Sequence, residues 1–594
     1  MHRSSRSPRP PRSSAVRIRH AVAGAIGLCL LATALAASAG SSSAGPGDAA
    51  SAGGRTWYVA TNGSGSAPGT KAQPLRRLAQ AVSRAGQGDT IVLRKGTYHE
   101  RVVVTTPDLT ITSMPGEAVW MDGSSSVTGF RATGATWTRA NWNYDFDHSP
   151  TFNRGAPDNT GAGWNYINPA YPMAAHPDQV WISGKRLRQV KTPADVRAGT
   201  FAVDRAANKL VVGTNPLGKT VKASTLNKAI SVRAPGVHLI GFGVRRYAVS
   251  MPDHGAVTLE KPNTRMTRMK VVSNATSGIG ISADYIKLVN STFSRNGLIG
   301  IHGASTYHLR MSGLTVKRNN LEHFNELPMA GGIKIGRARD VSIRNSVVTQ
   351  NLGSGVWFDE SVYDSRIINN RVNGNTGHGV EVELSERSVI ANNMILGNHE
   401  HGILVLDTGA VRIYNNTLLR NYRPINIIQD KRTHQNARSG HDRRRPFPDP
   451  TVPWRVQNVE IRNNVLAYAR TGSACVLCVE DGSHQRSAAQ MGIAPESNVY
   501  VRTGNLPRWL IVWSSGVGNP KVFTTLDEFR SATGRERLGV HTTSAVVSAH
   551  GGASDQLLSW GEDRASAIPD DVADMIGVPT SLRRIGVVPW ELNW

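Results

Sequence analysis

The chain is 594 residues long, 39% hydrophobic and 19% charged, and its 68 lysines and arginines outweigh 43 acidic residues to leave a formal charge of +25. At about 150 residues per domain that length predicts roughly four domains, unless a short repeat lets one core extend along a single axis. So basic a balance suggests nucleic acid first, but no nucleic-acid-binding motif accompanies it, and an anionic glycan or cell surface is the better-matched partner.

Arg3, Arg6, Arg9, Arg12, Arg17 and Arg19 precede an apolar run from Ala21 to Ala36, and Ala37-Ser38-Ala39 follows as a small-x-small cleavage pattern. This layout reads as a signal peptide over residues 1–39, too short to span a bilayer, and predicts a secreted or cell-wall-associated protein without a membrane span. Cleavage there removes six arginines and lowers the formal charge to +19. Residues 40–55, rich in Ser, Ala and Gly, read as a flexible linker. Residues 56–134 open the fold with a strand at Trp57-Tyr58-Val59. Leu75, Leu78, Ala79 and Val82 then fall at helical spacing, Pro74 suits a first turn, and Thr90-Ile91-Val92-Leu93 reads as a strand. An open solenoid end exposes apolar core and unpaired strand edges, so this helix is the expected N-terminal cap. Residues 135–225 break the rhythm with Trp137, Trp142, Trp164 and Trp181. Within them, 200–204 and 209–213 look like a strand pair in an inserted antiparallel β module.

The repeat is clearest within residues 226–435. An apolar residue after Gly recurs at Ile279, Ile301, Ile333, Val356, Val380 and Ile403, with a related site at Ile425, in steps of 22, 32, 23, 24, 23 and 22 residues. The long step holds Asn319 to Met329, a loop projecting from its coil. Each period carries two short β-branched stretches and no ten-residue helical pattern, which predicts an all-β fold, a right-handed parallel β-helix, over a leucine-rich-repeat alternative. Asn345, Asn369, Asn392 and Asn415 form one asparagine series in phase with the coils. Asn351, Asn375, Asn398 and Asn421 form another. Stacked asparagines can hydrogen-bond along the helix and satisfy turn backbone groups. A basic loop at 436–456 follows, then the last coils and a C-terminal cap over 457–594, where Thr525-Leu526-Asp527-Glu528 makes a capping box. Cys475 and Cys478 cannot complete a zinc site alone and leave a local disulfide or two free thiols.

Strand alternation locates the chemistry. Ile333, Ile335, Val356, Phe358, Val380 and Val382 should point inward, so their neighbours point out. One outer column then holds His302, Lys334, Trp357 and Glu381. The next column holds Asp359 and Glu383, preceded by Gly336. The carboxyls of Asp359 and Glu383, on neighbouring coils, are expected roughly 5–6 Å apart, near the spacing of a retaining glycosidase. Like charges so close push one carboxyl pKa upward, so one can serve as acid while the other attacks. Trp357 is expected as an exposed stacking platform for a sugar ring, with His302, Lys334 and Glu381 as further substrate-binding groups. Lys431, Arg432, Arg438, Arg443, Arg444 and Arg445 would flank the cleft.

Gly88-Asp89-Thr90-Ile91-Val92-Leu93 and Lys95-Gly96-Thr97-Tyr98 look like the N-terminal start of secreted β-helix carbohydrate enzymes, and the coils from 278 to 430 resemble their repeat region. More narrowly, Trp357-Phe358-Asp359 followed by Glu383 is similar to the β-helix β-xylosidases and related retaining glycoside hydrolases. That resemblance implies Asp359 as nucleophile, Glu383 as acid/base and an inserted β-domain. The family's acid/base Glu is typically followed closely by His, whereas Leu384-Ser385-Glu386 stands here, which makes Glu381 the rival acid. Polysaccharide lyases and uronan epimerases share the scaffold. On that alternative Lys334 is the base, Ca²⁺ sits among Asp359, Glu381 and Glu383, and the substrate is an acidic glycan. A third reading is a non-catalytic glycan-binding or wall-attached protein. The expected partner is a polysaccharide or oligosaccharide, with no nucleic acid, no bound cofactor for a hydrolase, and a monomer by default.

Overall fold

The computed structural model describes residues 54–158, 164–436 and 438–589. The predicted signal peptide and nearly all of the linker lie outside them. Three sheets of thirteen strands each run the length of the molecule. Within each sheet almost every neighbour is the equivalent strand of the next coil, paired in parallel. In the sheet that carries the predicted chemistry, Ser277–Ile281, Ile299–Ala304, Gly331–Gly336, Ser354–Asp359, Val380–Glu383, Ile403–Leu406 and Ile425–Gln429 follow one another in register. One continuous apolar core fills the coils from Trp57 to Phe529 and contains all six residues predicted to point inward. Fully burying each such side chain stabilises the fold by about 1.5–3 kcal/mol, which is why the alternation sets the register so strongly.

At the N-terminal end the helix is Leu78–Arg84, shorter than the spacing suggests. Leu75 precedes it and bridges to the first strand, Pro74 lies outside it, and the buried face is Leu78, Ala81 and Val82. Ala79 is exposed, and its backbone N–H, with that of Leu78, donates to the Glu100 carboxylate at 2.9 Å, which caps the helix from the link between the strands Gly96–Tyr98 and Val102–Val104.

Val102–Val104 pairs directly with Ile230–Val232, and Val119–Asp122 with Gly243–Arg245. The chain between Asp122 and Ile230 therefore leaves the stack and rejoins it without breaking the register. It forms two small, mainly antiparallel sheets over a core of their own. From this insertion Ala174, Ala175, Phe152 and Tyr166 pack against Leu298, Phe324 and Met329, which buttresses the loop that interrupts the 22–24-residue period.

Of the two asparagine series, one stands where predicted and the other is displaced by one residue. Asn319, Asn351, Asn375 and Asn398 each donate a side-chain N–H to the next asparagine's Oδ1 at 2.9 Å, and the series ends on Asn421. The second ladder runs through Asn370, Asn393, Asn416, Asn464 and Asn498. Asn345, Asn369, Asn392 and Asn415 instead hold the left-handed backbone of the turn, with φ of 50°, 56°, 56° and 52°, a conformation asparagine tolerates better than most residues. In each Asn-Asn doublet the first residue turns the chain and the second joins the ladder. At the C-terminal end Thr525 caps Leu526–Thr533 through the capping box, and Cys475 and Cys478 are disulfide-bonded.

Candidate active site

The outer column of the site-bearing sheet follows the predicted alternation. Ser231, Thr258, Gly280, His302, Lys334, Trp357 and Glu381 stand opposite one another on successive coils. Asp359 faces Gly336, and Asp359 and Glu383 are the residues that follow the paired Phe358 and Val382. The chain turns immediately after each carboxylate, with left-handed backbone at Glu360, Ser361 and Leu384. Asp359 and Glu383 therefore end adjacent strands at the same rim of the sheet.

This face is not open to solvent, contrary to the expectation of an exposed Trp357. Trp357, Asp359, Glu381 and Glu383 are each at most 5% exposed. The Lys334 ammonium lies 3.2 Å from the centre of the Trp357 ring, 2.7 Å from Asp359 Oδ2, and donates to the Pro328 carbonyl at 3.0 Å. The tryptophan face that would stack on a sugar is thus occupied by a cation. The Trp357 indole N–H donates to Glu383 Oε2 at 3.2 Å, and Ser354 Oγ donates to Glu381 Oε2 at 2.8 Å. From the loop after the last strong coil, Arg432 reaches Glu383 Oε1 at 2.7 Å, Asp407 Oδ2 at 3.1 Å and Asp430 Oδ2 at 2.8 Å. Of the six basic residues named in that region, Arg432 meets a carboxylate of the site, while Arg444 pairs with Asp284. His302 shares the column, but its Nε2 lies 2.5 Å from the His254 carbonyl and its ring packs on Phe152. It therefore stands two coils from Asp359, turned away from the carboxylates.

Charge follows from this packing. Burial pushes the Glu381 carboxyl up to about 8, against the Ser354 hydrogen bond and the Lys334 charge. Burial, then the Asp359 and Glu381 carboxylates, push Glu383 up to about 8 as well, while Arg432 pulls the other way. Burial alone would favour a neutral Lys334, but the Asp359 carboxylate outweighs it and holds the ammonium above its usual range. Asp407, which sequence reasoning passed over, is raised by burial to about 8. It ends the next coil at the same rim, since Glu383 stands opposite Leu406, so the coil register was the signal that could have found it. Among the described residues, the acid-and-histidine group whose ligand atoms converge within 4.8 Å is His378, Glu400 and His401. Asp359, Glu381 and Glu383 are partnered instead by cations and hydrogen-bond donors.

A groove of about 640 Å³ runs along the column on the N-terminal side of Lys334. Its walls include Phe152 and Tyr166 of the insertion and Met329 of the projecting loop, and Lys334 and Glu360 close its inner end. This volume is in the range of a site for a small ligand, and Lys334 separates it from Asp359.

The central coils, residues 252–418, match the family model described as the right handed beta helix region. A 47-residue stretch is 49% identical to the uncharacterized protein YwoF of Bacillus subtilis (strain 168), and that match spans 8% of this chain and 10% of that protein. Among solved structures, the complex of XylC with xylose overlays with a TM-score of 0.53 at 15% identity, covering 75% of this chain and 83% of that one. Pectate lyase Pel9A overlays with a TM-score of 0.32 at 13% identity, covering 69% and 75%, an overlap too slight to bear on function. With its matching coils and shared architecture, the chain is a right-handed parallel β-helix.

Proposed function

We propose that the protein is a secreted glycoside hydrolase that cleaves a polysaccharide or oligosaccharide through Asp359 and Glu383. One observation carries this reading. Two buried carboxyl groups at the same rim of adjacent coils each meet a cation at 2.7 Å but differ in the rest of their surroundings, since Asp359 also accepts the Glu360 backbone N–H at 2.6 Å, while burial and the Asp359 and Glu381 carboxylates raise Glu383 to about 8 against Arg432. Such a division between neighbouring carboxyls is what acid-assisted glycoside cleavage requires. Glu383 gives its proton to the glycosidic oxygen as the bond to the anomeric carbon breaks, and Asp359 forms an ester to that carbon. The Glu383 carboxylate then takes a proton from water, whose oxygen attacks the anomeric carbon and frees Asp359. Trp357 orients the Glu383 carboxyl, and Arg432 stabilises the carboxylate left after the first step. Glu381, donated to by Ser354, stays protonated beside the pair and limits the charge crowded there.

A lyase reading would use Lys334 as base. The Asp359 contact that holds Lys334 protonated weighs against it. A screen of neutral and acidic polysaccharides tests the proposal directly. Reducing sugar without an unsaturated product is expected from at least one of them. Asp359→Asn and Glu383→Gln together should abolish turnover. Glycan retained undiminished by wild type and double variant, with no turnover by either, would point to a binding protein.

A further inference from the structure

We infer that Asp407 is a positioning residue for Glu383 that acts through Arg432: it draws off part of the guanidinium's charge, so that Glu383 keeps the proton it gives to the glycosidic oxygen. The inference rests on the site reading above, since it names what holds that site's acid in its acid form. Glu383, Leu406 and Gln429 end successive strands at one rim, and Asp407 and Asp430 are the residues that follow the last two. Two residues past Asp430, Arg432 reaches back over all three carboxyls. The Asp430 carboxylate clamps it, accepting the Arg432 backbone N–H at 2.6 Å on Oδ1 and its Nε–H at 2.8 Å on Oδ2. Held there, the fork sets one terminal nitrogen 2.7 Å from Glu383 Oε1 and the other 3.1 Å from Asp407 Oδ2.

Asp407 is fixed in this place. It is fully buried, and its Oδ1 accepts from Gln429 Nε2 and from the Asp430 backbone N–H, each at 2.7 Å. Both donors meet Oδ1, so Oδ2 is left to Arg432. Charges are weakly screened at such depth, and a carboxylate on one arm of a guanidinium lessens what the other arm offers. Burial works against the Arg432 charge, yet the Glu383, Asp407 and Asp430 carboxylates outweigh it. The ionisable groups that face Glu383 are Asp359, Glu381, Arg432 and Lys334, and those that face Asp407 are Asp430 and Arg432. The neighbour the two acids share is Arg432, so a change at Asp407 reaches Glu383 through it. Burial and the Asp430 carboxyl raise Asp407 to about 8, the range in which Glu383 also loses its proton. As pH rises through that range, Asp407 ionises, claims more of Arg432, and slows the loss from Glu383.

The test is Asp407→Asn, made in the wild-type chain and in Arg432→Met, and read in the pH–rate profile. Asparagine keeps an acceptor for Gln429 and Asp430 but carries no charge. In the wild-type chain it should move the alkaline limb to lower pH by about half a pH unit or more, a modest share of what a charge at this range does. In Arg432→Met it should move the limb by less than half as much. Asp407→Ser, which also lacks the charge, carries the test if Asp407→Asn does not fold. The Glu383 midpoint is read without substrate by infrared titration of protein carrying isotope-labelled glutamate, its band being the one lost in Glu383→Gln. A lower kcat with limb and midpoint unmoved, a shift to higher pH, or a shift undiminished in Arg432→Met would overturn the inference. A midpoint that moves as expected in a protein that turns over no glycan removes the hydrolase reading and leaves Asp407 as the residue that sets the Glu383 proton. Turnover with an unmoved midpoint does the reverse.

Discussion

Glu383 is pulled in opposite directions. Burial and the Asp359 and Glu381 carboxylates favour its protonated form, and Arg432 favours the ionised form. If protonated Glu383 is the acid, activity should fall as pH rises through about 8. Arg432→Met removes the charge that opposes protonation, so the alkaline limb of the pH–rate profile should move to higher pH, and an unmoved or lowered limb would contradict the assignment. Glu383→Gln should cost roughly 10²–10⁴-fold in kcat, the usual worth of a positioned proton donor. Stability should respond separately. Glu381 and Glu383 have folded-state values raised from 4.5 to about 8, so each binds its proton more tightly in the folded chain. The stability this gives is present below about pH 4.5 and is lost as pH rises through about 8. Glu381→Gln should therefore raise the denaturation midpoint at pH 9 relative to wild type and leave it little changed at pH 4, as urea melts at both pH values can show.

At the level of elements, the coils depend on the asparagine ladders as well as on the apolar core. Asn375 Oδ1 accepts both the backbone N–H of Asn351 at 3.0 Å and its side-chain N–H at 2.9 Å, while Asn375 itself donates onward to Asn398 and Val348. Asn375→Ala strands two buried donors. At about 1–3 kcal/mol for each unsatisfied group, it should destabilise the protein by about 2–6 kcal/mol in denaturant unfolding. Asn369→Ala, at a turn with left-handed backbone, should cost less, about 1 kcal/mol. Equal effects would mean that the ladder and the turn are not the separate devices described above. The sequence signal was the same for both residues, an asparagine every coil. The doublet Asn369-Asn370 carries two roles in adjacent positions, and periodicity alone cannot say which residue points into the stack.

Across the whole molecule, the legible part was whatever depends on neighbours one coil apart. Gly followed by an apolar residue marked the coil period, and alternation within Gly355-Val356-Trp357-Phe358-Asp359 placed Trp357 and Asp359 outward in the right columns. The illegible part was whatever arrives from far along the chain. Lys334 lies over Trp357 beneath Pro328 of a projecting loop, Arg432 comes from beyond the last strong coil, and Phe152 and Tyr166 come from an insertion. No local pattern shows that these segments fold back to roof the sheet, so a face read as open proves to be buried. The most direct test of the carboxylate pair is the configuration at the anomeric carbon of the first product, followed by proton NMR during turnover. Retained configuration is expected if Asp359 forms a glycosyl ester that water then opens. An inverted product, or one with a new carbon–carbon double bond, would contradict the account.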